Sequence, residues 1–316
     1  MTLAVIAKNN STMATAATIQ ELFNSFICYL DIMPATARTY SAGIKAFFNH
    51  LQAQGLAKPD RQSVIDFKKA MLEAGKTPGT VATYLQAVKS FSCWLCNNGL
   101  FNVDFARKIK APKSSELYKK DPLTAPQLKA VIGAVKGNSE EQALRDKAIV
   151  TLIASCGLRT IEVSRANVDD IRQKKGHFVL FVQGKGRSEK DRFVPLPKAA
   201  LNAINNYLQT RGKVAQNAPL FCSISTNGTA GKALSTRTIS GICKAALVEA
   251  GYNSRRITAH SLRHSVATAC LDAGRSIHEV QMYLRHSDIN TTMLYAHEVK
   301  LEHNPCAETM QGLLFQ

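Results

Sequence analysis

The sequence predicts a mainly α chain in two domains: a small all-α first domain and a larger second one, mostly helical with a small three-stranded antiparallel sheet. Three features predict it. Apolar residues recur at three- and four-residue spacing from Thr18 to about Asn98, and again beyond Leu123. Between these runs lies Arg107 to Pro122 (RKIKAPKSSELYKKDP), basic, with two prolines and without an apolar face, the composition of a linker. One segment only, from His177 to Leu196, turns β-rich.

Residues 1–17 are small and polar without periodicity and read as a flexible tail. The first domain, 18–106, holds four helical patterns. Leu22, Phe23, Phe26, Ile27 and Leu30 mark the first, and Tyr40, Ile44, Phe47, Phe48 and Leu51 the second. Asp60 or Ser63 caps a third carrying Val64, Phe67 and Met71. Thr80 opens a fourth with Tyr84, Leu85, Val88, Phe91 and Leu95. Proline and glycine punctuate the gaps at Pro34, Gly55, Pro59, Gly75, Pro78 and Gly79. The linker spans 107–122 and the second domain 123–316. There HFVLFV (177–182) and DRFVPL (191–196) form two strands around the turn Gly184-Lys185-Gly186, and a short strand near Asp170 completes the sheet. Helical periodicity resumes after Thr236.

Composition narrows the function. Lys and Arg number 40 against 23 Asp and Glu, a net charge of +17, and the excess is spread over both halves. A polyanion between two basic lobes explains that distribution, and nucleic acid is the commonest such partner. In the linker, Lys110, Lys113, Lys119 and Lys120 are candidates to track phosphates. The eight cysteines are scattered among apolar residues, as suits reduced thiols in a cytoplasm. Cys93 and Cys96 read as helix core, not as a redox pair. No stretch reaches the ~18 apolar residues of a membrane helix, and no basic segment precedes the apolar start to make a secretory signal.

Four motifs carry chemistry, in a fixed order. CGLRTIE places Arg159 just past a helix end with Glu162 three residues on. GKG puts Lys185 at a hairpin tip. HSLRH sets His260 and Arg263 one turn apart on a helix face. LRHSDINTTMLY places His286 nine residues before Tyr295. His260 and His264 at i, i+4 hint at zinc, but Arg263 between them is a cation that a metal site avoids, and no Glu completes the pattern.

Together the set fits cleavage of a phosphodiester without metal or other cofactor. Charge grows on the nonbridging oxygens of the phosphate during attack. Arg159 and Arg263 meet it bidentately and stay protonated, since their pKa exceeds ~12. His260 and His286 add donors. A phenol with pKa about 10 is only ~0.1% ionised at neutral pH, so Tyr295 needs a base, for which His260 is the candidate. The departing 5′-oxygen needs an acid, which Lys185 could supply. Glu162 orients the cations.

The ordered motifs GLRTIE, GKG, HSLRHS and LRHSDINTTMLY resemble the tyrosine recombinase (phage integrase, Xer-like) family, whose pattern is Arg…Lys…His-x-x-Arg…His…Tyr. TARTY and TPGTVATYL resemble that family's core-binding domain. The resemblance implies a SAM-like, DNA-binding first domain and a catalytic second one, with Arg159, Lys185, His260, Arg263, His286 and Tyr295 as catalytic residues. It implies recombination of double-stranded DNA core sites by a tetramer on two sites, joined through C-terminal tails, via a 3′-phosphotyrosine and a Holliday junction. Integration or excision of a mobile element and dimer resolution are both compatible. One position departs from the pattern: Arg285 stands where the family usually has Gly. Two other readings share the residues, a type IB topoisomerase that relaxes DNA and a non-catalytic DNA-binding regulator on the same scaffold. The short N-terminal helical domain favours recombination over the first, and the complete residue set disfavours the second.

Overall fold

A computed structural model describes residues 19–113, 120–184, 186–225, 227–302 and 304–315. The expected tail at 1–17 and the candidates Lys119 and Lys185 lie outside the described residues. The chain divides into two compact units, residues 1–116 and 117–316.

The first unit holds α1 (Ile19–Tyr29), α2 (Pro34–Ala53), α3 (Arg61–Glu73) and α4 (Pro78–Asn97). Both long helices begin on a proline, whose missing N–H would have had no helical partner anyway. Asp60 caps α3. Its Oδ1 accepts the Ser63 N–H at 2.7 Å while Ser63 Oγ accepts the Asp60 N–H at 3.0 Å, so two orphan donors are satisfied reciprocally. The apolar stripes converge on Phe26, Phe47 and Phe91, all fully buried. Gly43 lets α2 and α4 cross closely, since a Cβ there would stand 3.1 Å from the Tyr84 Cα. Cys93 departs from expectation. It is exposed and Cys96 half-buried, because α4 turns Phe91, Trp94 and Leu95 inward and leaves both thiols on its flank. Phe105, Ala106 and Ile109 join this core, so the first residues of the basic stretch pack on this unit.

The second unit begins with α5 (Ala125–Gly133) and α6 (Glu140–Cys156). The whole run Ala148–Ile153 is buried, which accounts for its unbroken apolar sequence. α6 packs on α8 (Lys198–Thr210) and α10 (Ala259–Asp272) and ends at Gly157, in the left-handed region at φ 58°. The short α7 (Thr160–Ser164) follows. The sheet has the order β1 (Ile171–Lys174), β2 (His177–Val182), β3 (Arg192–Pro195), all antiparallel, with Leu180 paired to Ile171 on one side and Val194 on the other. Asp170 precedes β1, closing a 3-10 turn in which it accepts the Asn167 N–H at 2.7 Å. Then come α9 (Thr236–Glu249), α10, α11 (Ile277–Leu284), α12 (Asn290–Glu302) and α13 (Cys306–Leu314). Among the described residues no helix is long and apolar enough to cross a membrane, and none of the eight cysteines is in a disulfide.

Candidate active site

The site is assembled where two helix C-termini meet the start of α7. Arg159 is the N-cap residue of α7. Glu162, one turn on and 1% exposed, orients it twice: Oε2 accepts the Arg159 backbone N–H at 2.8 Å and Oε1 accepts its Nη1–H at 3.0 Å. Arg263 comes from α10, which is buried from Ser261 to Thr268. Its guanidinium donates to the carbonyls of Gly157 and Leu284, the ends of α6 and α11. Those carbonyls lack helical partners and carry the negative end of each helix, so a buried cation is well placed there. Arg263 Nη1 also lies 3.9 Å from Glu162 Oε2.

Arg285 caps α11 in the left-handed conformation at φ 58°, ψ 40°, a geometry costing a non-glycine residue about 1–2 kcal/mol. Its side chain is buried, donating to the Tyr283 carbonyl at 2.6 Å, the Gly157 carbonyl at 3.1 Å and Glu162 Oε2 at 3.0 Å. The turn it makes delivers His286, whose Nδ1 sits 2.8 Å from the Thr292 hydroxyl of α12. Tyr295, one turn along α12 from Thr292, is 1% exposed. Its ring lies 4.6 Å from that of His264 and 6.1 Å from that of His286, centre to centre. His264 is held by Nδ1, which donates to the Lys120 carbonyl at 2.9 Å, leaving Nε2 as the unprotonated nitrogen of the neutral ring.

Charges in this cluster shape one another. Burial opposes ionisation of Glu162, but Arg285, the Arg159 backbone N–H and Arg263 outweigh it and hold the carboxyl below the usual Glu range. For Arg263, burial and then Arg159 and Arg285 oppose the positive charge, while Glu162 and Tyr295 support it. Burial, reinforced by Arg263, Arg159 and Arg285, brings His286 down to about 3. His260 keeps an exposed edge on α10. The protein around it, then Arg263, Arg159 and Lys120, still lower its pKa, so at neutral pH its ring can accept a proton. A cleft of about 650 Å³ is lined by Arg159, Glu162, Gly184, Arg187, Arg192 and Arg285. A second hollow, about 530 Å³, is lined by Arg159, Ser240, His260 and Arg263. Arg159 thus faces both.

Of the residues named from sequence, Arg159 and Arg263 lie around Glu162, His286 and Tyr295 lie beside each other, and His260 is on the same helix face as Arg263. Lys185 belongs to the segment outside the described residues. Lys110 and Lys113 are exposed, whereas Lys120 donates to the Arg255 carbonyl at 2.8 Å. Among the described residues no group of three His, Cys, Asp or Glu side chains could hold a metal ion. Three contributors were not singled out from sequence: His264 against the Tyr295 ring, Thr292 on His286, and Arg192, which donates to the Arg285 carbonyl at 3.1 Å. Thr292 was legible, being the second Thr of the TT in LRHSDINTTMLY. His264 gave only its spacing from His260.

The two buried histidines make stability acid-sensitive. Burial, partly offset by the hydrogen bond to the Lys120 carbonyl, takes His264 down to about 4. A histidine in the unfolded chain titrates near 6.5, so between pH ~6.5 and ~4 the unfolded state binds the extra protons. Stability is full above ~6.5 and falls as pH drops toward 4. Urea midpoints should decrease steadily from pH 7 to pH 5, and a flat midpoint over that range would contradict the neutral, buried pair.

The phage integrase family model matches residues 122–302, and the model of that family's N-terminal SAM-like domain matches 23–99. Curated relatives are named as tyrosine recombinases. XerC of Corynebacterium efficiens is 31% identical over 88% of this chain and 86% of its own length. XerD of Listeria innocua is 27% identical over 90% and 96%. Among solved structures, a XerH recombinase bound to a palindromic difH substrate superposes with a TM-score of 0.75 at 20% identity, covering 93% of this chain and 86% of that one. A λ integrase tetramer on a Holliday junction gives 0.66 at 16% identity, covering 92% and 78%.

Proposed function

This chain belongs to the phage integrase family of tyrosine recombinases, and on that premise we propose that it is a site-specific DNA recombinase whose nucleophile is Tyr295. The observation that carries the assignment is the gathering of Arg159 and Arg263 on one carboxylate, Glu162, with Tyr295 set beside His286 on the turn that follows α11. The Tyr295 oxygen attacks the scissile phosphorus, forming a 3′-phosphotyrosine bond as the bond to the 5′-oxygen breaks. The phenolic proton passes to neutral His260. Arg159, Arg263 and His286 stabilise charge on the nonbridging oxygens. The 5′-oxygen leaves with a proton from Lys185. Attack of a 5′-hydroxyl on the phosphotyrosine reverses the step, so bond energy is conserved and no ATP is consumed. The task is the integration or excision of a mobile element or the resolution of DNA dimers, both of which this strand exchange serves.

The direct test is incubation with a nicked duplex carrying the recognition site, in EDTA, followed by SDS and peptide mapping. A DNA adduct on Tyr295 is expected. An adduct on another residue, or a strict need for metal, would reject the mechanism. The role of Lys185 is separable. Lys185→Ala should cleave slowly, and replacing the 5′ leaving oxygen by sulfur should restore its rate, because a thiolate departs without a proton. Arg159→Ala should gain nothing from sulfur. Equal rescue of both would remove Lys185 from the acid role.

Assembly is read from the chain's end. Leu313, Leu314 and Phe315, in and just after α13, are 73%, 63% and 81% exposed, an apolar cluster of the kind that marks an interaction site. It is assigned to a neighbouring protomer on paired DNA sites, within a tetramer. Truncation after Pro305 should spare filling of one half-site and abolish cooperative filling of two. Undiminished cooperativity would rule the tail out of assembly.

A further inference from the structure

We infer that Arg285 is a positioning residue that holds Glu162 off Arg263, leaving the Arg263 charge for the scissile phosphate. The inference rests on the recombinase reading of the site and adds to it the role of one further residue.

Arg285 sits where it is locally unfavourable. The position is left-handed, φ 58°, and its Nε is buried with no acceptor among the described residues. Glycine would avoid both costs. A residue that breaks local rules in this way needs a compensating gain, and the contacts of Glu162 identify one. Glu162 has two oxygens and three guanidinium groups around them. Oε1 is taken by Arg159. Oε2 is taken by the Arg159 backbone N–H at 2.8 Å and by Arg285 Nη2 at 3.0 Å, which leaves Arg263 Nη1 at 3.9 Å, beyond hydrogen-bonding distance.

Without Arg285, Oε2 is left with Arg263 3.9 Å away, whose guanidinium is already anchored on the Gly157 and Leu284 carbonyls. A carboxylate drawn onto it would neutralise the charge that the transition state requires. Arg285 also fixes the separation of those two helix ends, since it and Arg263 share the Gly157 carbonyl as acceptor. Its cation adds to the positive potential facing the cleft that it lines with Arg159.

The test is a double-mutant cycle read on adduct formation from a nicked duplex at saturating protein, with half-site affinity measured in parallel. R285G suits the left-handed backbone and should slow adduct formation about 10-fold while leaving half-site affinity within about 2-fold, as expected when a contacting charge network is cut. R285K retains charge but replaces the planar fork, whose two Nη atoms serve separate acceptors, by one compact ammonium on a shorter reach, so it should lose several-fold. In an E162Q background, where there is no carboxylate to hold, R285G should cost distinctly less than in the parent, only what its carbonyl contacts and its charge at the cleft contribute. A purely structural Arg285 would instead lower the melting temperature and leave the rate of the folded protein unchanged. R285G cleaving as fast as the parent, or slowing E162Q by the same factor as the parent, overturns the inference. If R285G melts below the assay temperature, the same cycle is read from R285K. A parent protein that forms no adduct defeats the recombinase reading itself, an outcome distinct from either.

Discussion

Tyr295→Phe gives a protein that binds its DNA like the parent and forms no covalent adduct with a nicked substrate. Only one oxygen is removed. The ring keeps its place against His264 and His286, so the packing that makes Tyr295 1% exposed survives. Loss of the hydroxyl changes stability by about 1 kcal/mol, the usual net worth of one hydrogen bond. No other group in the cluster can take over. Cys156 is buried, and burial pushes its thiol pKa up. The Thr292 hydroxyl is engaged with His286. The measurement is an SDS-stable band, absent in the variant, beside an unchanged mobility shift. A residual band above background would move the nucleophile elsewhere.

Glu162→Ala should be among the most destabilising single substitutions in the second unit, costing about 3–5 kcal/mol, the range for breaking a buried ion pair by removing one partner. Glu162 is the carboxylate shared by Arg159, Arg263 and Arg285, and the last two have side chains only 1% and 3% exposed. Its removal leaves those cations buried without a counter-charge. Glu162→Gln keeps the shape and an acceptor oxygen and should cost distinctly less. Urea unfolding at pH 7 checks both, and an alanine variant within 1 kcal/mol of the parent would show that the carboxylate does not hold the cluster together.

Much of this was legible in the sequence where a local rule acts alone. The stripes of α2, α3 and α4 followed from three-four spacing, the cap of α3 from Asp60 with Ser63 three residues on, and the sheet from HFVLFV and its turn. Three of the candidate site residues stand at element boundaries, Arg159 after Gly157, His260 in the first turn of α10 and His286 past the end of α11, whereas Tyr295 lies inside α12 and was marked only by its spacing from His286. What stayed hidden depends on contacts between distant segments. Nothing in the spacing of His264 tells that Lys120, 144 residues earlier in the chain, fixes its tautomer. Nothing in α6 tells that Arg145 is buried, donating to its neighbour Asp146 and to the carbonyl of Cys222. The left-handed cap at Arg285 was hidden for a different reason. Glycine advertises such a turn and arginine does not, so the only trace in the sequence was the departure from the family's usual Gly, and the contacts to Gly157, Tyr283 and Glu162 left none.

Gly157 carries a consequence for how this protein can drift in sequence. A Cβ at 157 would stand 2.4 Å from Leu284 Cδ2, and the backbone there is left-handed as well. The steric obstacle belongs to residue 284 and the conformational one to residue 157, so the two positions form a single heritable unit. A side chain at 157 requires the Leu284 side chain to move or to shrink, and asparagine, the residue most at ease in that conformation after glycine, is the natural newcomer. Directed libraries that vary 157 alone should therefore return mostly glycine, and libraries that also shorten residue 284 should admit more alternatives.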